Sequence, residues 1–487
     1  MQNFRSKDAI GVYTLKSTLP APFYPQRQPM MKPTIYFWMV VLLLAGRGWN
    51  LGRGAAQGTL FTYLPLAMES PAIMPSNITA AGNGASYAPQ SSADGSVVAF
   101  LSDANNLVAG DTNGFADAFV WERDTGLFRR ASLASDGTEG DGSTSRVWLS
   151  GNGRYVLFIS TSSNLVVGDT NGTGDLFRHD LWNGVTELVS VTPTGVAAGA
   201  VESAAITEEG NTILFTSAVA MTADPMPATC VQEPCTALFR REMATGETTA
   251  VLSETDGTLT TPIREVFSSA DGTIIVYARV EIAGSGCIPD YGCSTQYGQF
   301  IWRRDKATQD ATLIARSEYQ DWGHAYLNAY VQLRGLSADG NTIAYWSHRE
   351  GGSGSGGNSS AGLLVKQGSA EATALYSITF WTYPRSQNGG FVLIDPQFSA
   401  SADGEVLIFN AHDLNGENNY PQFPDDTNGY KDLFRVRGGQ YLRLNNPITT
   451  HTANPSLSAD GHTLYFESVG MAILDPNRRD IFISTLP

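Results

Sequence analysis

Three stretches of this sequence space oxygen-bearing side chains in a way that could hold a hard cation. Asp-Thr-Asn-Gly-x-x-Asp occurs at residues 111–117, 169–175 and 426–432. Its first, third and seventh positions are Asp111, Asn113 and Asp117, then Asp169, Asn171 and Asp175, then Asp426, Asn428 and Asp432. A glycine turns the chain between them. Calcium takes six to eight oxygens, so three side chains would supply about half and leave the rest to carbonyls and water. The bidentate glutamate of a full calcium loop is missing. The same residues also make a good turn, and the last Asp can cap the next strand through its backbone N–H groups. Calcium binding is therefore one expectation, and a turn-and-cap device is the other.

Two further groups stand out. Tyr319, Trp322, Tyr326 and Tyr330 surround His324, and Phe380, Trp381 and Tyr383 lie farther on. Tyr and Trp offer a flat apolar body with a polar tip, suited to sugars or apolar side chains, although aromatics also pack beneath their own loops. These residues are the expected ligand-binding set. The four cysteines fall in two local pairs, Cys230/Cys235 and Cys287/Cys293. In an exported chain such pairs read as two short disulfide loops. The alternative is one four-thiolate zinc site, which usually shows two-to-four-residue ligand spacings on paired knuckles. No nucleophile elbow, metalloprotease helix or phosphate loop occurs, and the six histidines lack ligand spacing. No catalytic residue can be named. Carboxylates drawn from separate parts of the chain could still form a glycan hydrolase or lyase.

The elements that must position these groups follow from a repeat. Ser-Ala-Asp-Gly begins at Ser92, Ser269, Ser337, Ser401 and Ser458, and degenerate copies begin at Ser150 and Thr207. A short apolar strand follows each copy. Asp-Gly between apolar runs predicts a hairpin, and a second turn such as Asp124-Thr125-Gly126 or Trp182-Asn183-Gly184 closes a second one. Each unit thus holds four strands, and seven units predict an all-β, seven-bladed β-propeller. The last unit ends at its third strand. Residues 72–78 are expected to supply the fourth and close the ring, because an open edge invites aggregation. In such a blade the first-to-second and third-to-fourth turns share one face. Here they are tight. The second-to-third and blade-to-blade connections share the other face and are long and varied. The cysteines, the aromatics, the Gly/Ser-rich run 351–360 and the Asp-Thr-Asn-Gly loops all belong to that long-loop face, where function tends to sit.

The units resemble the TolB-like propeller repeats of bacterial envelope and secreted proteins. Residues 454–461 (NPSLSADG) followed by Leu464-Tyr465-Phe466 carry the likeness best. Asp117-Ala118-Phe119-Val120 and Asp480-Ile481-Phe482-Ile483 match that family's third strand. The resemblance spans about residues 72–487. It implies the fold and leaves function open, since such propellers serve as platforms and as enzyme domains.

Residues 34–45 form an unbroken apolar run, shorter than the roughly 20 residues a membrane span needs and suited to a signal peptide preceded by Met30-Met31-Lys32. Arg47 and Arg53 after it leave an uncleaved anchor open. The expected organisation is a targeting segment over 1–56, a linker over 57–71 and the propeller over 72–487. Residues 1–56 carry seven basic side chains against Asp8, a net of +6, so their removal takes the formal charge from −16 to −22. So acidic a chain repels nucleic acid. The sequence therefore predicts a secreted or envelope monomer with no membrane span in the mature chain. It is expected to bind a protein or glycan without catalysis, with calcium as a possible stabilising ion.

Overall fold

The computed structural model describes residues 75–223, 236–251, 263–288, 292–317, 330–349, 358–381, 397–412, 431–444, 451–469 and 478–486. Its twenty-eight strands form seven four-stranded antiparallel sheets. Six blades run in simple meander order over residues 86–130, 144–188, 201–250, 263–316, 330–381 and 398–443. The seventh holds Thr452–Leu457, Thr463–Val469 and Arg479–Thr485, with Ser76–Asn77 as its outer strand. The expected closure is present: Ser76 faces Ile483 and Asn77 faces Phe482. Ile78 adds a backbone bond to the Ile481 carbonyl at 2.9 Å.

The same aromatic position recurs from blade to blade. The second strand places Phe100, Phe158, Phe215, Tyr277, Tyr345, Phe409 or Phe466 at one register, all buried. In five blades the partner across the ladder is also Phe: Phe119, Phe177, Phe239, Phe434 and Phe482. Ring centroids in these pairs lie 5.6–6.1 Å apart. Burying each ring is worth about 1.5–3 kcal/mol, and the pairing adds geometry to area. Aliphatic side chains on the strand faces fill the spaces between blades. Val147 and Leu149 of blade 2, for example, pack with Ala99, Leu101 and Val120 of blade 1.

The repeat turn explains its own sequence. The Ser92 hydroxyl donates to Asp94 at 2.7 Å and accepts from Val97 N at 3.0 Å, while Asp94 also accepts from Ser96 N at 2.9 Å. The same triad recurs at Ser269, Ser337, Ser401 and Ser458, and at Ser150 with Asn152 in place of Asp. Gly must follow because the backbone there turns to positive φ, +64° at Gly95 and +69° at Gly404.

Candidate functional site

The tight-turn face is knitted into a ring. Ala93 N donates to Gly151 O, Asn152 N to Glu208 O, Glu208 N to Ala270 O and Ala270 N to Ala338 O. Asp339 N donates to Ala402 O, Ala402 N to Ala459 O, and Ala459 N returns to Ala93 O. These seven bonds of 2.7–3.0 Å cross all seven junctions in one direction. The Asp and Asn side chains are occupied within their own turns, and this holds Asp94, Asp271, Asp339, Asp403 and Asp460 below the usual carboxylate range.

On the long-loop face, the first Asp-Thr-Asn-Gly loop brings its predicted residues together around a guanidinium. Arg130, from the outer strand Leu127–Arg130, lies 3.0 Å from Asp111 and 3.2 Å from Asp117 through Nη1, and 2.7 Å from Glu139 through Nη2. Its side chain is about 5% exposed. Asn113 closes the turn by accepting from Phe115 N at 3.0 Å, and its amide donates to Asp117 at 3.0 Å. Asp117 also accepts from the Ser132 hydroxyl at 2.6 Å, which in turn accepts from Ala118 N at 3.0 Å. The last Asp therefore caps its strand through a serine relay rather than directly. Burial pushes Asp111 up, with Arg130 opposing it, while bonds from Thr112 hold Glu139 at about 2.

The second loop repeats the frame without the cation. Asn171 donates to Asp175 at 2.8 Å, Ser190 donates to Asp175 at 2.7 Å, and Leu176 N donates to Ser190 at 3.0 Å. Leu188 occupies the register of Arg130 and Ala197 that of Glu139. Asp169 and Asp175 are both buried, and burial followed by Asp175 raises Asp169. In the third loop Asp432 pairs with Arg443, which stands at the register of Arg130, whereas Asp426 and Asn428 lie outside the described residues. The relay returns once more at the ring closure. Thr79 donates to Asp480 at 3.1 Å and accepts from Ile481 N at 3.0 Å. Among the described residues no three His, Cys, Asp or Glu side chains converge as a metal site.

A channel of about 580 Å³ runs between the first strands of all seven blades. Arg146, Glu265, Arg334, Gln90 and Asn454 line it with apolar residues such as Trp148 and Phe398. Arg146 is exposed and has no ion pair among the described residues. Glu202 faces Arg264 of the next blade at 3.5 Å. Sequence reasoning missed this lining, because its members are spread over the first strands of seven blades and make no local pattern.

The blade-4 hairpin differs from the others. Its second and third strands, Ile274–Ile288 and Gly292–Asp305, run 15 and 14 residues, against 6 in blades 1 to 3. What reads in sequence as a loop is a β-ribbon, and Cys287 and Cys293 stand directly opposite each other near its tip. Cys230 and Cys235 lie outside the described residues, as do Tyr319, Trp322, Tyr326 and Tyr383. Tyr330 begins the strand Tyr330–Leu336 and Trp381 ends Thr373–Trp381, but their side chains are outside the description.

No family model and no curated protein matches the sequence. Among solved structures the chain is similar to the β-propeller domain of the trilobed protease from Pyrococcus furiosus, at 11% identity over 70% of this chain and 80% of that one, TM-score 0.41. It is similar to the Dos1 propeller at 8% identity, over 85% and 95%, TM-score 0.42. A protein assigned as TolB from Agrobacterium tumefaciens gives 11% identity, over 61% and 82%, TM-score 0.34. The architecture itself rests on the chain's own strand pairing, and these likenesses say nothing of activity. No helix among the described residues is long and apolar enough to cross a membrane.

Proposed function

We propose that this chain is an exported, non-enzymatic binding protein that docks a protein or glycan on its long-loop face. The observation that carries the reading is the blade-4 ribbon. It extends the ladder from Val280–Gln299 out to Ile288–Gly292. Facing cysteines in an antiparallel ladder have Cα atoms about 4.5–5.5 Å apart, inside the range a disulfide accepts. A Cys287–Cys293 bond would pre-organise the tip, and pre-organisation lowers the entropic cost of binding. The acidic composition and the apolar run near the N-terminus support export, where such a bond persists.

The test is to replace residues 283–296 with an Asn-Gly turn and to compare the variant with the intact chain on a glycan array and in pull-downs from envelope extract. Loss of a specific ligand with an unchanged melting temperature is expected. A ligand retained in full by the shortened chain would overturn the reading.

Calcium belongs, in this reading, to the second loop alone. Asp169 and Asp175 are the buried carboxylates whose register partners lack a cation, and backbone carbonyls and water would complete the shell. Calcium would bind the folded loop only and raise the melting temperature by mass action. Asp169→Asn should abolish that rise, and a rise that survives in this variant would remove calcium from the loop.

A further inference from the structure

The junctions between blades differ in one respect that points to a ligand. Counted from the turn Ser or Thr, the same ladder position of the third strand holds Arg178 in blade 2, Arg240 in blade 3 and Val365 in blade 5, paired with Leu157, Leu214 and Ala344. Arg178 reaches across its junction and donates to the Gly210 carbonyl of the next turn at 2.8 Å. It also pairs with Glu187 and lies over the Tyr155 ring at 4.4 Å. Arg240 does the same to Gly272 O at 3.2 Å. At these two junctions the slot holds a guanidinium that donates to the turn-glycine carbonyl, whereas the same position is Val120 in blade 1 and Ile483 in blade 7.

Between blades 5 and 6 the side chains that fill this slot are gone. Val365 replaces Arg178, Thr373 stands where Glu187 does, and Val436 stands where Arg241 does. A cleft of about 420 Å³ results. Its walls are Val365, Leu375, Leu407, Val436 and Tyr441, with Gly404 among its lining. The Gly404 carbonyl accepts from Gln367 Nε2 at 3.3 Å, and a carbonyl oxygen carries a second lone pair for another donor. Glu371 and Glu405 also line the cleft, are exposed, and have no ion pair among the described residues. The surrounding tight-turn face carries the exposed carboxylates of Asp339, Asp403 and Asp460.

We propose that this cleft receives an arginine side chain of a partner polypeptide. The guanidinium takes the place that Arg178 and Arg240 fill internally, donating to Gly404 O. Its methylene stem lies along the valine and leucine walls, and Glu371 and Glu405 balance its charge. Planar multidonor geometry favours arginine over lysine. The site lies on the face opposite the ribbon, so it stands or falls apart from the reading above.

The probe is the capped tripeptide acetyl-Gly-Arg-Gly-amide, titrated into the full chain by NMR beside its lysine and citrulline counterparts. Saturable millimolar binding of the arginine peptide is expected, weaker binding of the lysine peptide, and none of the isosteric but neutral citrulline peptide. The exposed pair Glu371→Gln and Glu405→Gln should weaken binding about tenfold. Val365→Arg should abolish it by filling the slot from within. No saturable binding, equal binding of the citrulline peptide, or unchanged binding in the double glutamine variant would each overturn the proposal. The glutamine pair keeps the test valid even if Val365→Arg fails to fold.

Discussion

Arg130 shows how one residue can decide the character of a loop. It is the cation for Asp111, Asp117 and Glu139 at once. Arg130→Leu should destabilise the chain by about 3–5 kcal/mol in urea unfolding, because it leaves buried carboxylates uncompensated. The double change Arg130→Leu with Glu139→Ala copies the second loop, and should confer a calcium-dependent rise in melting temperature at the first. His179 supplies a pH test. Burial holds it down at about 4, beneath an unperturbed value of 6.5. The unfolded chain therefore binds a proton that the folded chain refuses, and stability should fall as pH drops from 6.5 towards 4. His179→Gln should flatten this part of the melting profile, and an unchanged slope would assign it to other groups. Little of this was legible in sequence. Asp111 and Asp117 announce a cation, but Arg130 lies on another strand and has no motif of its own. The signal was there only in register, as Arg130 against Leu188 in the next repeat.

At the scale of the hairpin, the repeat motif was legible because its side chains do the hydrogen bonding. Ser458 donates to Asp460 at 2.5 Å and accepts from Thr463 N at 2.8 Å. Ser458→Ala would leave that buried N–H without a partner and should cost about 1–3 kcal/mol, read as a lower urea midpoint at unchanged slope. Gly404→Ala should cost more than a surface change. Its φ is +69°, and an added Cβ would lie 2.0 Å from Thr342 Oγ1 of the preceding blade. The degenerate copy at Thr207 shows what sequence could not supply. Glu208 takes part in the ring through its backbone alone, as donor to Ala270 O and acceptor from Asn152 N. A backbone bond leaves no trace in residue identity, so the ring that joins the blades is invisible in a repeat that otherwise reads plainly. The ribbon was missed for a related reason: Gly284, Gly286 and Gly292 read as loop, yet they sit in paired strand.

For the whole molecule, the number of blades and the source of the closing strand were both legible, since a unit short of one strand must borrow it. The strength of the seam was not. Among the described residues only Ser76 and Asn77 pair as strand, but Thr79 and Asn77 bond Asp480, and Arg478 bonds the Ala80 and Gly82 carbonyls. Removal of residues 1–74 should leave the melting temperature of the ring unchanged, whereas removal of residues 1–84 should expose the edge of Arg479–Thr485 and promote aggregation, seen by light scattering. The geometry of this seam also sets how the protein bears load. Chain entry and exit lie on neighbouring strands of one blade, so a pull on the two ends would unzip that blade's ladder bond by bond. A pull between two other blades would instead have to shear whole hairpins at once. A molecule tethered by its N-terminus and tugged through a ligand on a distant blade would hold, while the same force on its own two ends would open it like a clasp.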